Sequence, residues 1–259
     1  MTDITDLFDL RGRTALVTGG SRGLGLHIAE ALGAQGAHVV LTSRKAEALE
    51  TANRQLADMG IKSEWIAADC SREEEVLRLV DEALERVGTV DILVNNAGAT
   101  WGALAEDFPL SAWDKVINLN LRSLFLLSQQ IGKRSMIPAG YGRILNLASI
   151  AGIKANGPNS TKTIAYNTSK AAVIHFTRSL AAEWARYGIN VNALAPGFFP
   201  SDMTRGTLEN NLAGITERIP QGRIGDDNDL KGAALLFTTA AGKHITGQTL
   251  AIDGGATAL

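Results

Sequence analysis

Read from its N-terminal end, the chain alternates short apolar runs with longer stretches in which apolar residues recur every three or four positions. Arg13–Thr18 is an apolar run that stops at a glycine cluster, and Leu24, Ile28, Ala31 and Leu32 after it predict a helix over Leu24–Gln35. The same unit then repeats. A strand is expected at His38–Thr42, a helix over Ala46–Met59 and a strand at Glu64–Ala68. Ser71 with Glu74 three residues on has the spacing of a capping box; Val76, Leu79, Val80, Ala83, Leu84 and Val87 make the apolar stripe that follows, and Gly88 ends it. Asp91–Asn95, Gly142–Leu147, Ile189–Leu194 and Gln248–Ile252 read as further strands, and Ala112–Met136, Ala165–Tyr187 and Asp229–Ala241 as helices. Seven strands joined by helix-sized connections predict a parallel sheet with helices on both faces, because a parallel crossover needs that length of chain. No Pro/Ser linker, charge run or internal repeat divides the sequence. Residues 1–259 are therefore expected to form one doubly wound, Rossmann-type α/β domain.

Composition narrows the range of partners. With 45% hydrophobic and 20% charged residues, the 259-residue chain can bury one large core. A formal net charge of −2 gives no basic footprint, so neither nucleic acid nor a membrane is an expected partner. The lone Cys70 cannot form an internal disulfide, and Asp3, Asp6 and Asp9 stand where a signal peptide would be basic. The apolar runs fall short of the ~20 residues that span a bilayer. A cytoplasmic location is the expectation. His27, His38, His175 and His244 are scattered and show no metal-ligand spacing, so no metal is expected.

The candidate chemistry starts in the turn after the first strand. Thr18-Gly19-Gly20-Ser21-Arg22-Gly23-Leu24-Gly25 places glycines where a backbone can approach a pyrophosphate lying over a helix N-terminus. A plain glycine-rich turn has the same composition, and only the alternating context favours the dinucleotide. An NAD site puts an acid on the ribose about 20 residues further on. Here the second strand ends in Leu41-Thr42-Ser43-Arg44-Lys45, with no acid. Arg44 with Arg22, helped by Lys45 and the Ser43 hydroxyl, suits a 2′-phosphate, which favours NADP(H) over NAD(H). Arg44 and Lys45 also read as a solvated helix start.

Tyr166-Asn167-Thr168-Ser169-Lys170 sets a phenol and an ammonium at i and i+4, on one face of a helix. A cation one turn away stabilises a phenolate and makes the tyrosine a usable acid and base near neutrality. The same pair is also common as an exposed surface pair. Ser149 follows the strand Arg143–Ala148, at the carboxyl end of the sheet where such folds bind ligands. Asn120 lies on the apolar stripe of the Trp113–Leu124 segment, either as a core amide bonded to backbone or as part of a site.

In this order of motifs the chain resembles the short-chain dehydrogenase/reductase superfamily from end to end. Its G-x-x-x-G-x-G spacing is the form that superfamily uses, and the resemblance adds roles. Ser149 is expected to hydrogen-bond the reacting oxygen, and Asn120, within Ile117-Asn118-Leu119-Asn120-Leu121, to hold a water beside Lys170. Together they imply a proton relay from the substrate oxygen through Tyr166, a ribose hydroxyl, Lys170 and water to Asn120. Asp69 matches the position at the adenine edge, where its alternative is a helix cap, and its neighbour Cys70 is placed in the same site. Asn95-Asn96-Ala97-Gly98 matches the sheet-end motif beside the cofactor. Pro196-Gly197-Phe198-Phe199-Pro200-Ser201 matches the loop over the nicotinamide, with Ser201 where the family usually has threonine.

Two segments depart from the pattern or vary within it. Tyr166 lies 17 positions after Ser149, a longer gap than the family's usual one, so Lys154–Ile164 contains a short polar insertion. Segment 201–222, and within it Met203–Ile219, corresponds to the variable substrate lid; its Arg205 and Arg218 are opposed by Glu209 and Glu217. Trp101-Gly102-Ala103, Pro196–Thr204 and Ile252–Gly255 look most like bacterial 3-oxoacyl reductases of the rhamnolipid-pathway type and gluconate 5-dehydrogenase-like proteins. The expected activity is NADP(H)-dependent interconversion of a ketone and a secondary alcohol on a small molecule. A polyol or sugar-acid dehydrogenase is the alternative, and a non-catalytic dinucleotide sensor is disfavoured by the intact Asn120, Ser149, Tyr166 and Lys170. The resemblance, and an Ala-rich helix carrying Ala171, Ala172, Ala181, Ala182 and Ala185, imply a homotetramer or else a dimer.

Overall fold

In β1 (Thr14–Thr18), Ala15 and Val17 pack into one apolar cluster and Leu16 into another, so successive side chains serve opposite faces of the sheet. All of β1 is buried, as a strand covered on both sides must be. The computed structural model describes residues 3–157 and 160–258. Among these, β1 is joined by β2 (His38–Ser43), β3 (Ser63–Ala67), β4 (Ile92–Asn95), β5 (Gly142–Leu147), β6 (Ile189–Pro196) and β7 (Thr249–Ile252). Every pairing is parallel, in the order β3-β2-β1-β4-β5-β6-β7. The order reverses between β1 and β4, which opens a crevice at the carboxyl ends of those strands.

One face is covered by α1 (Gly23–Ala34), α2 (Ala46–Asp58) and α9 (Lys231–Thr238), whose Ile28, Leu32, Leu49, Leu56 and Phe237 share a core with β1. The other is covered by α3 (Glu73–Val87), by a composite helix and by α7 (Ile164–Trp184), through Leu79, Val80, Leu127 and Leu180. The composite helix begins at Leu110, two residues before the predicted start. It runs through α4 (Leu110–Ile117), a π turn (Asn118–Arg122), α5 (Ser123–Ile131), a second π turn (Gly132–Met136) and α6 (Ile137–Ala139). Helical periodicity does not register such insertions. They matter because π turns re-aim side chains locally.

The remaining differences from the sequence reading are local. The capping box does not form: α3 starts after Arg72, the Ser71 hydroxyl turns back to Asp69, and Glu74 pairs with Arg72. Three glutamates in the first turn of α3 favour its N-terminus instead. The last predicted helix is shorter than Asp229–Ala241, since Thr239 is extended and caps a separate 3-10 turn. A further helix, α8 (Arg205–Thr216), lies in the lid segment, where no periodicity had marked one. Ile215 and Ile219 there bury against Ala256, with Ile150, Leu208 and Phe198 around them. Among the described residues no helix is long and apolar enough to cross a membrane.

Candidate active site

The crevice is a cleft of about 780 Å3 over the carboxyl ends of the strands. It gathers residues from the glycine loop, the end of β2, the turn after β3, the loop after β4, the end of β5, α7 and the lid. Of the candidates Gly19, Ser21, Arg22, Gly23, Leu24, Gly25, Ser43, Arg44, Asp69, Cys70, Asn96, Ala97, Gly98, Asn120, Ser149, Tyr166, Lys170, Pro196, Gly197, Phe199 and Ser201, all but Gly25 and Asn120 line it. Those two stand immediately behind its wall.

The glycine loop is shaped by Asn96 and Thr18. The Asn96 amide donates to the carbonyls of Thr18 (2.9 Å) and Gly19 (3.1 Å), while the Thr18 hydroxyl accepts from the amides of Asn96 and Ala97, both at 3.0 Å. A Cβ on Gly19 would meet the Asn96 amide at 2.6 Å, and one on Gly25 would run into that amide and the Gly19 carbonyl. Gly23 is glycine for a different reason: nothing crowds it, but its φ of +54° lies in the left-handed region. The turn places the free N–H groups at the start of α1 against the cleft, where an anion is favoured.

At the end of β2 the Ser43 hydroxyl is buried and has no hydrogen-bond partner among the described residues. Arg44 and Lys45 beside it line the cleft and make no ion pair among the described residues. Across from them Asp69 accepts from the amide (3.0 Å) and hydroxyl (2.7 Å) of Ser71, both on Oδ1. Burial raises its pKa, but these bonds and the nearby Arg44 and Arg72 outweigh it, and the carboxyl stays below its ordinary value. Cys70 lines the same wall, and burial, with the Asp69 charge, pushes its thiol up to about 12, so it is an inert apolar contact. A hydroxyl and two cations without partners among the described residues, and a glycine turn that a Cβ at Gly19 or Gly25 would block, suit the adenosine and phosphates of a dinucleotide.

At the other end stand Ser149, Tyr166 and Lys170. Ser149 is 9% exposed, just beyond β5, and its oxygen accepts from the Ala151 amide at 3.1 Å. The same hydroxyl stands beside the Tyr166 phenol and draws its pKa down. Tyr166 is partly buried and faces the cleft. Burial raises its pKa, the Ser149 hydroxyl opposes that rise, and the net shift is upward. The i and i+4 spacing predicts a phenol pKa lowered by Lys170; in the fold burial raises it instead. Lys170 is 5% exposed, its Nζ lies 5.6 Å from the centre of the Tyr166 ring, and it donates to the Leu147 carbonyl at 2.5 Å. Burial brings its pKa down to about 8.

Asn120 sits on the first π turn and is 2% exposed. Its Oδ1 accepts from the Ala99 amide (2.8 Å), and its Nδ2 donates to the Ala99 carbonyl and to Ser169 Oγ, both at 2.9 Å. Ser169 in turn donates to the Tyr166 carbonyl at 2.8 Å. The side chain therefore clamps the loop after β4 to α7, with Gly98 between it and Lys170. This is the backbone-bonded alternative that the sequence left open. A second buried amide group supports the same floor: Asn95 donates to Asn146 (2.9 Å) and Ser128 (3.2 Å), and Asn146 to Thr177 (2.9 Å).

In the loop after β6, Gly197 pairs with Ile252 (2.9 Å). Phe199 is 3% exposed and turns its ring onto Gly225, so its side chain serves the core while its backbone edges the cleft. The Ser201 hydroxyl is engaged with Thr204 Oγ1 at 2.9 Å. Two pairings of polar residues in the cleft were not legible in the sequence. His27 faces Asp227 (3.5 Å), and Asp202 pairs with Arg22 (2.5 Å); each partner lies far away along the chain. The insertion contributes to the adjoining rim, where the Ala103 amide donates to the Lys162 carbonyl (2.9 Å) and Lys154 donates to Ala256. Its residues 158 and 159 lie outside the described residues.

Comparison with known proteins agrees with this geometry. The family model described as enoyl-(acyl carrier protein) reductase matches residues 19–257. The chain is 42% identical to the rhamnolipids biosynthesis 3-oxoacyl-[acyl-carrier-protein] reductase of Pseudomonas aeruginosa, over 96% of this chain and 97% of that protein. It is 38% identical to gluconate 5-dehydrogenase of Gluconobacter oxydans, over 97% of each. Its fold superimposes on a gluconate 5-dehydrogenase from Burkholderia cenocepacia in complex with NADP and tartrate, with a TM-score of 0.93 at 36% identity, covering 98% and 99% of the two chains. The chain belongs to the short-chain dehydrogenase/reductase family of oxidoreductases.

Proposed function

We propose that the protein is an NADP(H)-dependent oxidoreductase that interconverts a ketone, of the 3-oxoacyl type or similar, and a secondary alcohol. The observation that carries the reading is the meeting of Ser149, Tyr166 and Lys170 at the carboxyl end of β5, where all three line the cleft and the buried Lys170 ammonium lies 5.6 Å from the centre of the tyrosine ring. When bound, the nicotinamide supplies or accepts the hydride. Ser149 donates a hydrogen bond to the reacting oxygen and fixes its place. Tyr166 gives its phenolic proton to that oxygen in reduction and takes it back in oxidation. Lys170, still largely charged near neutrality with its pKa at about 8, stabilises the phenolate left behind. Asn120 keeps the loop after β4 in register with α7, so that the proton-handling groups share one wall.

Support for NADP(H) over NAD(H) comes from Ser43, Arg44, Lys45 and the absence of an acid at the end of β2. Titration with NADPH and NADH at one salt concentration tests it, and tighter binding of NADH would overturn it. The alternative substrate class is a polyol or sugar acid, favoured by the likeness to gluconate 5-dehydrogenases. Turnover assays with 3-oxoacyl thioesters against 5-ketogluconate separate the two. We place the protein in the cytoplasm and expect residues 1–259 to act as one catalytic domain with 201–222 as its lid. A homotetramer, or else a dimer, is supported by the half-exposed Phe125 stacked edge-on against Phe176, by Ala171 and Ala182 exposed along α7, and by Ala185 exposed just after it. Light scattering coupled to gel filtration reads the assembly directly.

A further inference from the structure

Arg22 is the one arginine of the glycine loop, and its guanidinium is taken by the lid: Nη1 lies 2.5 Å from Asp202 Oδ2. The other oxygen of Asp202 faces Arg205, at the start of α8. All three residues line the dinucleotide cleft, together with Arg44 and Lys45, which make no ion pair among the described residues. Asp202 thus brings a negative charge next to the cations and the helix N-terminus by which the cleft attracts anions, in a lining that also holds Asp69, Glu209 and Asp227. A carboxylate oxygen and a phosphate oxygen have the same geometric claim on a guanidinium. Where one sits at hydrogen-bond distance, the other must displace or share it.

We propose that Asp202 is a specificity-determining residue for the dinucleotide: it competes with the 2′-phosphate for Arg22 and so sets how strongly NADP(H) is preferred. The proposal rests on the NADP(H) reading above. Arg22 is 67% and Asp202 39% exposed, so the pair is of the weak, solvent-screened kind, and relieving it changes affinity by about two- to five-fold rather than by orders of magnitude. Within that range the effect is selective. It acts on a ligand whose phosphate reaches Arg22 and leaves other ligands alone.

The test measures dissociation constants for adenosine 2′,5′-bisphosphate and for 5′-AMP, which differ only in the 2′-phosphate. The proteins are the wild type, Asp202→Asn, Arg22→Gln and the double variant. Asp202→Asn is expected to tighten the bisphosphate about two- to five-fold, to leave 5′-AMP unchanged and to give no gain in the Arg22→Gln background. Equal tightening of both ligands, no tightening, or a gain that survives Arg22→Gln would each overturn the role of Asp202 and leave the NADP(H) reading intact. A wild-type protein that binds the bisphosphate no better than 5′-AMP would instead remove the NADP(H) reading and the proposal with it.

Discussion

Lys170 Nζ stands 5.6 Å from the centre of the Tyr166 ring and is held there by the Leu147 carbonyl, so the last residue of β5 fixes the cation that serves the phenol of α7. The pairing at i and i+4 is a helix property, but its anchoring to the sheet is not. Tyr166→Phe keeps the ring and removes the proton. It should lower kcat by about 10²–10⁴-fold while NADPH binding by fluorescence titration changes little. Retained turnover in that variant would exclude Tyr166 as the acid.

The same lysine makes stability depend on pH. Burial lowers its pKa from 10.5 in the unfolded chain to about 8 in the fold. Between those values the unfolded chain binds the extra proton, so the Lys170 contribution to stability rises with pH through that window. Below about 8 both forms are charged and the burial penalty is fully present. Lys170→Met should remove this rise, seen as a flatter dependence of the denaturation midpoint on pH from neutral to alkaline conditions.

Ser149 acts on the phenol in the opposite sense to burial, because its hydroxyl lowers the Tyr166 pKa. Ser149→Ala should therefore move the alkaline fall of ketone reduction, and the rise of alcohol oxidation, to higher pH in kcat/KM profiles. It should also cost about 10²–10³ in kcat, as loss of a hydrogen-bond donor to a developing oxyanion does. An unshifted profile would separate Ser149 from the proton chemistry.

Gly25 and Gly23 are predicted to fail differently. Alanine at Gly25 collides with the Gly19 carbonyl and the Asn96 amide, so the loop must open and NADPH binding should weaken at least about tenfold. Alanine at Gly23 meets no atom and is opposed only by φ +54°, a cost of roughly 1–2 kcal/mol. Isothermal titration of each variant, with its melting curve, distinguishes lost binding from lost fold.

Asn120→Ala should act on stability as much as on turnover. It removes three hydrogen bonds and leaves the buried Ser169 hydroxyl and the Ala99 backbone short of a partner. The expected loss is about 1–3 kcal/mol in urea denaturation. A variant of unchanged stability would show that water takes up the amide's role.

The β/α alternation and the place of the glycine loop were legible in the sequence because they are carried by local periodicity and short motifs. β5 has the predicted bounds and the other strands begin and end within two residues of theirs, since a strand buried on both faces must be apolar wherever it runs. Ser149, Tyr166 and Lys170 were legible as well: two share a helix face, and the third follows a strand whose carboxyl end faces the crevice. Where an element's boundary depended on competing side chains, the sequence misled. Ser71 has two partners within reach, Asp69 and the backbone of α3, and only the folded turn shows that it bonds Asp69.

Tertiary structure alone decided the rest, and the reason is distance along the chain. Asp202 meets Arg22, Asp227 meets His27, and Asn120 clamps Ala99 to Ser169 across segments that no local pattern connects. The same holds for the balance that raises the Tyr166 pKa, because burial is a property of everything packed around a group and not of its neighbours in sequence. The order of residues thus determined which chemical groups the protein has and the layers that carry them. Long-range packing determined which of those groups touch, how dry each one is, and so how each is charged.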